Sequence, residues 1–320
     1  MVNEFKQALL RNASVPRGST LVLGVSGGSD SVAMLRLFVE VAESLRLKIV
    51  VAHVNYHTRG RDSDADEKFV TALTQKYEMS LETLSIKRYK AEKTNFEEWA
   101  REIRYDFFQK VAKKHGAAFV AVAHTQDDQA ETILMHLLKG AGINGLAAMK
   151  QREGNILRPL LTFSKKQLRG YLTTLKQPFR SDKTNADTKY IRNKVRHTLL
   201  PLLKKEFNPN IATALTRLSQ SASDIEAFFN AEVQKFCAQH VKRTARRASF
   251  SRATFMQLPR SLRREVIHEI MRSFSVTEPL SFNHYNELER IFQRNVGNKQ
   301  KEVSKNLKIM INGGVIRFVK

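Results

Sequence analysis

The sequence predicts an α/β fold: a doubly wound parallel sheet followed by a smaller, mainly helical C-terminal domain. Two observations predict it. Through the first half of the chain, short apolar runs alternate with amphipathic helical patterns, which is typical of a parallel sheet with helices on both faces. After residue 206 this alternation stops and longer helical patterns follow. We therefore predict one domain at 1–206 and a second at 207–320.

Each element follows from its own pattern. The predicted strands are the apolar runs at 20–25, 48–54, 80–86, 117–123 and 156–161. The helices of the first domain are the periodic stretches at 31–45, 64–77, 95–115, 127–139 and 164–176. The second domain is predicted to contain helices at 211–239, 259–274 and 283–295, and a terminal β-hairpin at 307–319. Ligands of doubly wound sheets bind at the carboxyl ends of the strands, so the segments that follow the strands are the candidate site.

Composition limits the class of protein. The single cysteine, Cys237, excludes an intramolecular disulfide and a cysteine-only zinc or iron–sulfur site. The first residues lack the apolar core of a signal peptide, and no apolar run approaches the length of a membrane span. We therefore predict a cytoplasmic protein without a membrane partner, and a homodimer is an open alternative.

Positive charge is concentrated in the second half of the chain. The net charge is +23. Residues 1–149 carry 20 Lys or Arg against 18 Asp or Glu, residues 150–206 carry 15 against 4, and residues 207–320 carry 19 against 9. Such an imbalance is typical of a polyanion partner, and nucleic acid is favoured because no long apolar face accompanies the basic runs. A solvated basic surface is the structural alternative.

The first strand leads into the segment with the strongest chemical signal. This segment, which we call the phosphate loop, comprises Ser26, Gly27, Gly28, Ser29, Asp30 and Ser31. Glycines let backbone N–H groups turn toward an anion, and short hydroxyls add donors. A carboxylate beside a phosphate needs a cation between them, so Asp30 predicts Mg²⁺ bound with a nucleotide pyrophosphate. No lysine follows the glycines, which excludes a Walker A loop; an ordinary Ser/Gly turn is the alternative.

The second strand ends in a segment with two histidines, His53 and His57. On an extended segment, residues four apart do not converge on one metal ion, so we reject a zinc site. We predict instead that His53 contributes to an adenosine pocket. An ordinary loop with two exposed histidines is the alternative.

The helix at 95–115 combines a core stripe with clustered arginines. The predicted stripe consists of Phe96, Trp99, Ile103 and Phe107. Arg101 and Arg104 lie on the opposite side, and surface arginines three residues apart indicate a bound anion.

The fourth strand is followed by His124 and then by three carboxylates, Asp127, Asp128 and Glu131. Asp128 and Glu131 lie one turn apart on the same helix face, next to the expected crevice. Such carboxylates can hold Mg²⁺ or an ammonium group, and helix capping is the structural alternative. His124 or one of the carboxylates is a candidate general base.

Basic residues recur in two later segments that we predict to contact nucleic acid. Arg192, Lys194 and Arg196 lie on a helix that we expect to end at Pro201. A second basic segment, predicted to be a hinge, contains Lys242, Arg243, Arg246 and Arg247. A helix that only links the two domains is the alternative for the first segment.

Between about residues 20 and 205, the motifs resemble in collinear order those of the bacterial tRNA(Ile)-lysidine synthetases, members of the PP-loop ATP pyrophosphatase superfamily. The motifs are SGGSDS, HVNYHTRG, NFEEWAREIRY, HTQDDQAET, LLKGAGINGLAAM, RPLL and DKTNADTKYIRNKVRHTLLPLL. The resemblance is weaker after residue 207, and Tyr56, Thr58 and Lys139 depart from residues common in the family. Members often carry a further C-terminal domain that helps to hold the acceptor stem; we expect this chain to stop before it, either as a natural short form or as a truncated one.

The resemblance implies a PP-loop fold and an ATP-dependent ligase. Such enzymes adenylate the C2 oxygen of the wobble cytidine in an isoleucine tRNA with a CAU anticodon, release pyrophosphate, and let the amine of L-lysine displace AMP. It implies ATP and Mg²⁺ at the phosphate loop, with Asp30 on the metal. Arg101 or Arg104 would hold a phosphate or the lysine carboxylate, and Asp127, Asp128 and Glu131 would hold the lysine ammonium groups or a metal.

Three other classes are compatible with parts of the chain. A tRNA thiolase of the same superfamily would need paired cysteines or an iron–sulfur cluster. An ATP pyrophosphatase coupled to an amidotransferase would not need the basic second half. An RNA-binding protein without catalysis would have no ATP turnover to lose when Asp30 is replaced.

Overall fold

A computed structural model describes residues 1–58, 60–86, 96–180, 191–276, 280–294, 299–304 and 307–320, except for the side chains of Glu97, Phe282 and Arg294. Arg59, Asn95 and residues 182–190 of the sequence motifs lie outside the described residues. The chain forms two compact units, Met1–Ala222 and Ser223–Lys320. This division falls within a helix, Ile211–His240, and lies later than residue 206. The separate roles that we assigned to the two parts stay predictions.

Unit 1 is built on a six-stranded, mostly parallel sheet, as predicted. Its strands are β1 (Thr20–Gly24), β2 (Lys48–Asn55), β3 (Ser80–Ser85), β4 (Phe119–Ala121), β5 (Arg152–Glu153) and β6 (Ile156–Leu157). The strand order is β3-β2-β1-β4-β6-β5, and only β5 runs antiparallel to its neighbour. The chain therefore reverses its direction of progress between β1 and β4, and such a switch point is where doubly wound sheets bind ligands.

Helices cover both faces of this sheet. They are α1 (Val2–Gln7), α2 (Ser29–Leu45), α3 (Arg61–Lys76), α4 (Phe96–Lys114), α5 (Gln126–Leu138), α6 (Ile143–Leu146), α7 (Lys165–Thr174), α8 (Ile191–Lys194), α9 (Leu200–Leu202) and α10 (Ile211–His240). The core on one face contains α2, α3 and α7, and the core on the other face contains α4. Gly24 permits this second contact, because a Cβ there would lie 2.6 Å from the Phe108 ring.

The structure corrects the predicted core stripe of α4. Phe96, Trp99, Ile103 and Phe107 are only half-buried. The buried residues of α4 are Ala100, Phe108, Val111 and Ala112. The buried face is therefore rotated by about one residue, because Phe108 rather than Phe107 packs against Gly24 of the sheet.

Two further predicted elements differ from the structure for reasons that lie in the local sequence. The predicted strand at 156–161 is only two residues long, since Pro159 has no N–H to continue the ladder. The helical segment that begins at α8 continues past Pro201, through π-helical turns at Val195–Leu199 and Leu203–Phe207. The wider π turns accommodate a proline that would clash within a regular α-helix.

The N-terminal helix α1, which the sequence analysis omitted, is anchored by an aromatic contact. Phe5 is fully buried, and its ring meets the ring of Phe38 edge-on at 5.0 Å. Burial of such a side chain stabilises the fold by about 1.5–3 kcal/mol.

Unit 2 packs helices against one face of an antiparallel sheet. The strands are β7 (Lys242–Arg243), β8 (Arg247–Ser251), β9 (Lys299–Ser304), β10 (Leu307–Asn312) and β11 (Val315–Val319), in the order β7-β8-β11-β10-β9. The helices are α11 (Arg252–Gln257), α12 (Arg260–Ser273) and α13 (Phe282–Arg294). The predicted terminal hairpin is confirmed, and the other three strands were not predicted. In the described part of the chain, no helix has the length and apolarity required to cross a membrane.

Candidate active site

A cavity of about 460 Å³ opens at the carboxyl ends of β1 and β4. Seven of the predicted site residues line it: Ser26, Gly28, Ser29, Asp30, Ser31, Arg104 and His124. Six others lie outside its lining: Gly27, His53, Arg101, Asp127, Asp128 and Glu131. The cavity therefore joins the phosphate loop to the residues that follow the fourth strand.

Three hydrogen bonds hold the backbone of the phosphate loop in place. Gly27 has a φ of +90°, which favours glycine, and its carbonyl accepts a hydrogen bond from the Arg180 N–H at 2.9 Å. The Ser31 hydroxyl donates to the Gly28 carbonyl (2.9 Å) and accepts from the Ser26 N–H (3.2 Å). Gly28 precedes α2 and brings no capping side chain. The first-turn N–H groups of α2, which have no acceptor within the helix, can therefore bind an anion.

Asp30 lies in the first turn of α2 and faces the cavity. Its carboxylate accepts a hydrogen bond from the Ser29 hydroxyl at 3.1 Å and lies 3.9 Å from Lys165 Nζ. Burial raises the pKa of the Asp30 carboxyl above its ordinary value, although Lys165 opposes the shift. A further cation near Asp30 would therefore stabilise its ionised form.

Lys165, the first residue of α7, contacts three of the carboxylates near the cavity. Its ammonium donates to Asp128 Oδ1 at 3.1 Å and lies 3.9 Å from Asp30, and its backbone N–H donates to Asp127 Oδ2 at 2.9 Å. The sequence analysis missed this residue. The signal was present, because Lys165 follows Ser164, the helix-capping residue after the fifth strand.

Asp128 is fixed by a capping box at the start of α5. Its Oδ2 accepts hydrogen bonds from the N–H (2.9 Å) and hydroxyl (2.7 Å) of Thr125. Burial favours the neutral carboxyl, but Lys165 and the Thr125 hydrogen bonds outweigh it and hold the pKa of Asp128 below its ordinary value. Asp128 is therefore an ionised carboxylate that also caps its helix, so the structural alternative holds in part.

Glu131 is buried and paired with two arginines of the following helical segment. Arg196 binds it through two nitrogens, at 2.6 and 2.8 Å, and also contacts Asp128 at 3.4 Å. Arg192 lies 3.4 Å from Glu131. Both guanidinium groups therefore contact α5 and are partly exposed, and the predicted contact of Arg192 and Arg196 with nucleic acid stays a prediction. Of the three predicted basic residues in this segment, Lys194 has an exposed side chain.

Asp127 is directed away from the other two carboxylates. It lies 3.1 Å from Lys204 Nζ and accepts from the backbone of Lys165. Among the described residues, no group of three or more His, Cys, Asp or Glu side chains could hold a metal ion. The carboxylates do not form a metal cage of their own, which corrects that part of the prediction.

Mg²⁺ with a nucleotide is nevertheless compatible with the phosphate loop. Mg²⁺ in such sites is bound by one or two carboxylates together with substrate phosphates. Asp30 supplies one carboxylate at the cavity wall, directly beside the open first turn of α2. The residues present therefore fit a metal that arrives with the triphosphate.

The two predicted histidines differ in position. Burial lowers the pKa of His124 to about 4, and its Nδ1 is a buried atom without a hydrogen-bond partner in the described part of the molecule. A neutral imidazole with an open nitrogen can accept a hydrogen bond from a ligand in the cavity. His53 is buried beneath the phosphate loop, where its Nδ1 bonds to the Val25 carbonyl at 2.8 Å. Its neighbours Val54 and Tyr56 line the cavity, because alternate strand residues point to opposite faces.

The arginines of α4 also separate. Arg104 lines the cavity, whereas Arg101 is exposed and its guanidinium lies 5.1 Å from the centre of the Tyr105 ring. Two further arginines, Arg169 and Arg180, line the cavity and were not predicted. Their positions follow from α7 and from the contact of residue 180 with the phosphate loop, which no local sequence pattern reveals.

The basic segment at 242–247 is a strand–turn–strand hairpin and not a hinge. Lys242 pairs with Ser249 and Arg243 with Ala248 across β7 and β8. The hydroxyl and carbonyl bonds between Thr244 and Arg247 close the turn, which contains Arg246.

The loop, its switch-point position and the adjoining carboxylates define a PP-loop protein, and the comparisons agree. A family model described as a PP-loop domain matches residues 1–203. A tRNA(Ile)-lysidine synthase from Chlorobaculum tepidum is 30% identical, and the match covers 98% of this chain and 95% of the relative. The chain belongs to the tRNA(Ile)-lysidine synthase family.

Other relatives are longer than this chain. The tRNA(Ile)-lysidine synthases of Geobacter sulfurreducens (38% identical) and Bacteroides thetaiotaomicron (40%) match over 86% and 66% of this chain, but over only 59% and 49% of their own lengths. Among solved structures, the U34-tRNA thiolase NcsA from Methanococcus maripaludis, with its iron–sulfur cluster, has a TM-score of 0.57 at 18% identity. That match covers 69% of this chain and 77% of NcsA, and it supports the fold alone.

Proposed function

We propose that this protein uses ATP to attach L-lysine to C2 of the wobble cytidine in an isoleucine tRNA with a CAU anticodon. The reaction would pass through an adenylated cytidine and release pyrophosphate and then AMP. The observation that carries the proposal is the cavity, which joins a phosphate loop to an acidic site through a single residue, Lys165. Family membership supplies the substrates.

The first half-reaction needs stabilisation of charge on the leaving pyrophosphate. We assign this to the phosphate loop, whose N–H groups and hydroxyls face the cavity, and to Mg²⁺ held partly by Asp30. Lys165 lies within reach of Asp30 and would add a second positive charge on the same side. Arg104 and Arg169, which also line the cavity, are candidates to hold the remaining phosphate oxygens.

The second half-reaction needs a site for an amino acid with two ammonium groups. Asp128 and Glu131 lie outside the cavity lining, and each is already paired with a cation of the protein, Asp128 with Lys165 of the cavity wall. We propose that the lysine ammonium takes over part of the coordination that Lys165 and Arg196 provide to these two residues. Asp127 is directed toward Lys204 and is the weaker candidate.

We do not assign His124 as the base that accepts the proton of the lysine amine. With a pKa of about 4, its imidazole is a weak base, far below the pKa of about 10.4 of a lysine side chain. We assign His124 to hydrogen bonding with the adenosine or cytidine in the cavity, through its open Nδ1.

The experiment measures pyrophosphate release from ATP in the presence of CAU isoleucine tRNA. We expect Asp30→Asn to reduce the rate by at least about a hundredfold and Lys165→Met by about tenfold or more, because each removes charge from the transition state. Lys166→Met is the matched control, since Lys166 is the exposed neighbour on the same helix. Wild-type rates for Asp30→Asn would contradict the proposed nucleotide site.

A further inference from the structure

The sheet of unit 2 has one buried face and one open face. Burial alternates strictly along β8, β10 and β11, and the inward residues Ala248, Phe250, Ile309, Ile316 and Phe318 belong to the core with the helices of this unit. The residues between them point outward. These outward residues are exposed on β10 and at the ends of β8, and half-buried along β11 and at Ser249.

The outward residues form two rows across the strands. In the first row, register places Lys242, Ser249, Arg317, Met310 and Gln300 side by side. In the second row it places Arg247, Val319, Lys308 and Glu302 side by side. Directly paired residues of an antiparallel sheet project to the same face, so these rows share one surface.

Three cations on this surface surround one small hydroxyl residue. Ser249 lies directly opposite both Lys242 and Arg317, and Arg247 is two residues before it on the same strand. Neighbouring strands are about 4.8 Å apart, so the three backbone positions lie within about 10 Å of one another. Within the described residues, none of the three side chains makes an ion pair. Lys308, farther along the sheet, is paired with Glu302 at 3.1 Å.

We propose that this open sheet face binds the phosphate backbone of the tRNA, an inference that rests on the proposed function. The unpaired cations supply charge complementarity to a polyanion, and the serine lets the backbone approach closely and offers a hydroxyl donor. The few apolar side chains on the face, such as Met310, are too scattered to insert into a lipid surface. Arg317 thereby joins the RNA-contacting residues.

Arg243 is excluded from this surface. It pairs with Ala248 and therefore points to the opposite side of the sheet, where burial raises the pKa of the Cys237 thiol and the charge of Arg243 opposes the shift. Four neighbouring basic residues in the sequence thus separate into two groups, a distinction that the sequence alone does not make.

The experiment compares tRNA binding by the full chain and two variants, over a range of salt concentrations. The probe is an unmodified CAU isoleucine tRNA transcript. For the triple variant Lys242→Gln/Arg247→Gln/Arg317→Gln we expect about tenfold weaker binding at about 100 mM salt. The slope of log K against log salt should fall by about two to three.

Arg290→Gln is the single-charge control, because Arg290 is exposed on α13, whose Tyr285 and Leu288 face the core on the other side of the sheet. We expect nearly wild-type binding. Arg317→Gln alone should reduce the slope by about one, and the difference between it and Arg290→Gln tests the surface at equal net charge. Lys242, Arg247 and Arg290 are exposed and Arg317 is half-buried, so thermal unfolding of each variant is measured to separate a loss of binding from a loss of stability.

Equal losses in Arg317→Gln and Arg290→Gln, or wild-type binding by the triple variant, would overturn the inference and leave the proposed function intact. The same is true if the triple variant binds tRNA normally but loses binding to anionic lipid vesicles. Failure of the wild-type protein to bind the tRNA would contradict the proposed function as well.

Discussion

At the scale of residues, the site is a balanced set of charges. Asp30 lines the cavity, three further carboxylates lie at the start of α5, and four cations of the chain contact this set. The carboxylates are Asp30, Asp127, Asp128 and Glu131, and the cations are Lys165, Arg192, Arg196 and Lys204. Because these carboxylates are already paired with cations, an additional cation without a counterion would bind weakly. Mg²⁺ bound to a triphosphate and lysine with its own carboxylate each bring negative charge that balances the added positive charge. This balance favours the substrates that we propose.

His124 gives a test through protonation and folding. Burial lowers its pKa from an ordinary 6.5 to about 4, with Asp128 opposing the shift and Arg158 and Arg104 supporting it. Between these two pH values the unfolded chain binds more protons than the folded chain at this position. The free energy of unfolding therefore falls as the pH drops below about 6.5, and this contribution amounts to roughly 2–3 kcal/mol at pH 4.5.

The measurement is urea unfolding of the wild-type protein and of His124→Gln at pH 7 and pH 4.5. We expect the variant to lose less stability than the wild type on acidification, because glutamine does not titrate. An identical loss in both proteins would mean that His124 is not buried in its neutral form.

At the scale of elements, α5 and the helical segment from α8 to Phe207 are joined by a buried ion pair. The Glu131 side chain is 2% exposed and depends on Arg196 for two of its hydrogen bonds. Among the described residues, Arg196→Met leaves this carboxylate with only the more distant Arg192, so we expect a loss of about 2–4 kcal/mol in the free energy of unfolding. Lys194→Met, in the same segment but exposed, should change stability by no more than about 0.5 kcal/mol.

Chemical denaturation and tRNA binding together separate the two roles. Lys194→Met should reduce the salt slope of tRNA binding by about one while its stability is unchanged. If Arg196→Met were as stable as the wild type and Lys194→Met were not, our assignment of the two faces of this segment would be wrong.

The sequence predicted the elements of unit 1 well where a local pattern sufficed. Strands such as β1 and β2 are continuous apolar runs, and α2 and α5 begin within two residues of their predicted starts at 31 and 127. The sequence was a poor guide to elements whose buried face depends on residues that are distant in the chain. The buried face of α4 is set by Gly24, and the strands β8 and β9 of unit 2 gain their apolar contacts only through the complete sheet.

The same division applies to the candidate site. The residues that follow strands, from Ser26 to Ser31 and at His124, could be predicted because topology alone brings them to one crevice. The partners of Asp128 and Glu131 could not, since Lys165 and Arg196 lie 37 and 65 residues away from them in sequence. Charge type also did not reveal these ion pairs, because arginines that neutralise buried carboxylates resemble arginines that bind RNA.

At the scale of the whole molecule, the net positive charge is distributed unevenly along the chain. Residues 1–149 are nearly neutral and contain the phosphate loop, whereas most of the net charge of +23 lies in the remainder. Several of those cations are paired inside unit 1, which reduces the number available to RNA. The open sheet face of unit 2 keeps three unpaired cations within the described residues. We therefore expect tRNA affinity to depend on a few positions and not on total charge.

The most direct test of the account is incorporation of radiolabelled lysine into tRNA. The purified protein is incubated with ATP, Mg²⁺ and either an isoleucine tRNA with a CAU anticodon or a methionine tRNA. We predict ATP-dependent labelling of the isoleucine tRNA alone. No labelling of this tRNA, while ATP is still cleaved to AMP in its presence, would contradict lysine as the nucleophile and assign the PP-loop fold to another reaction.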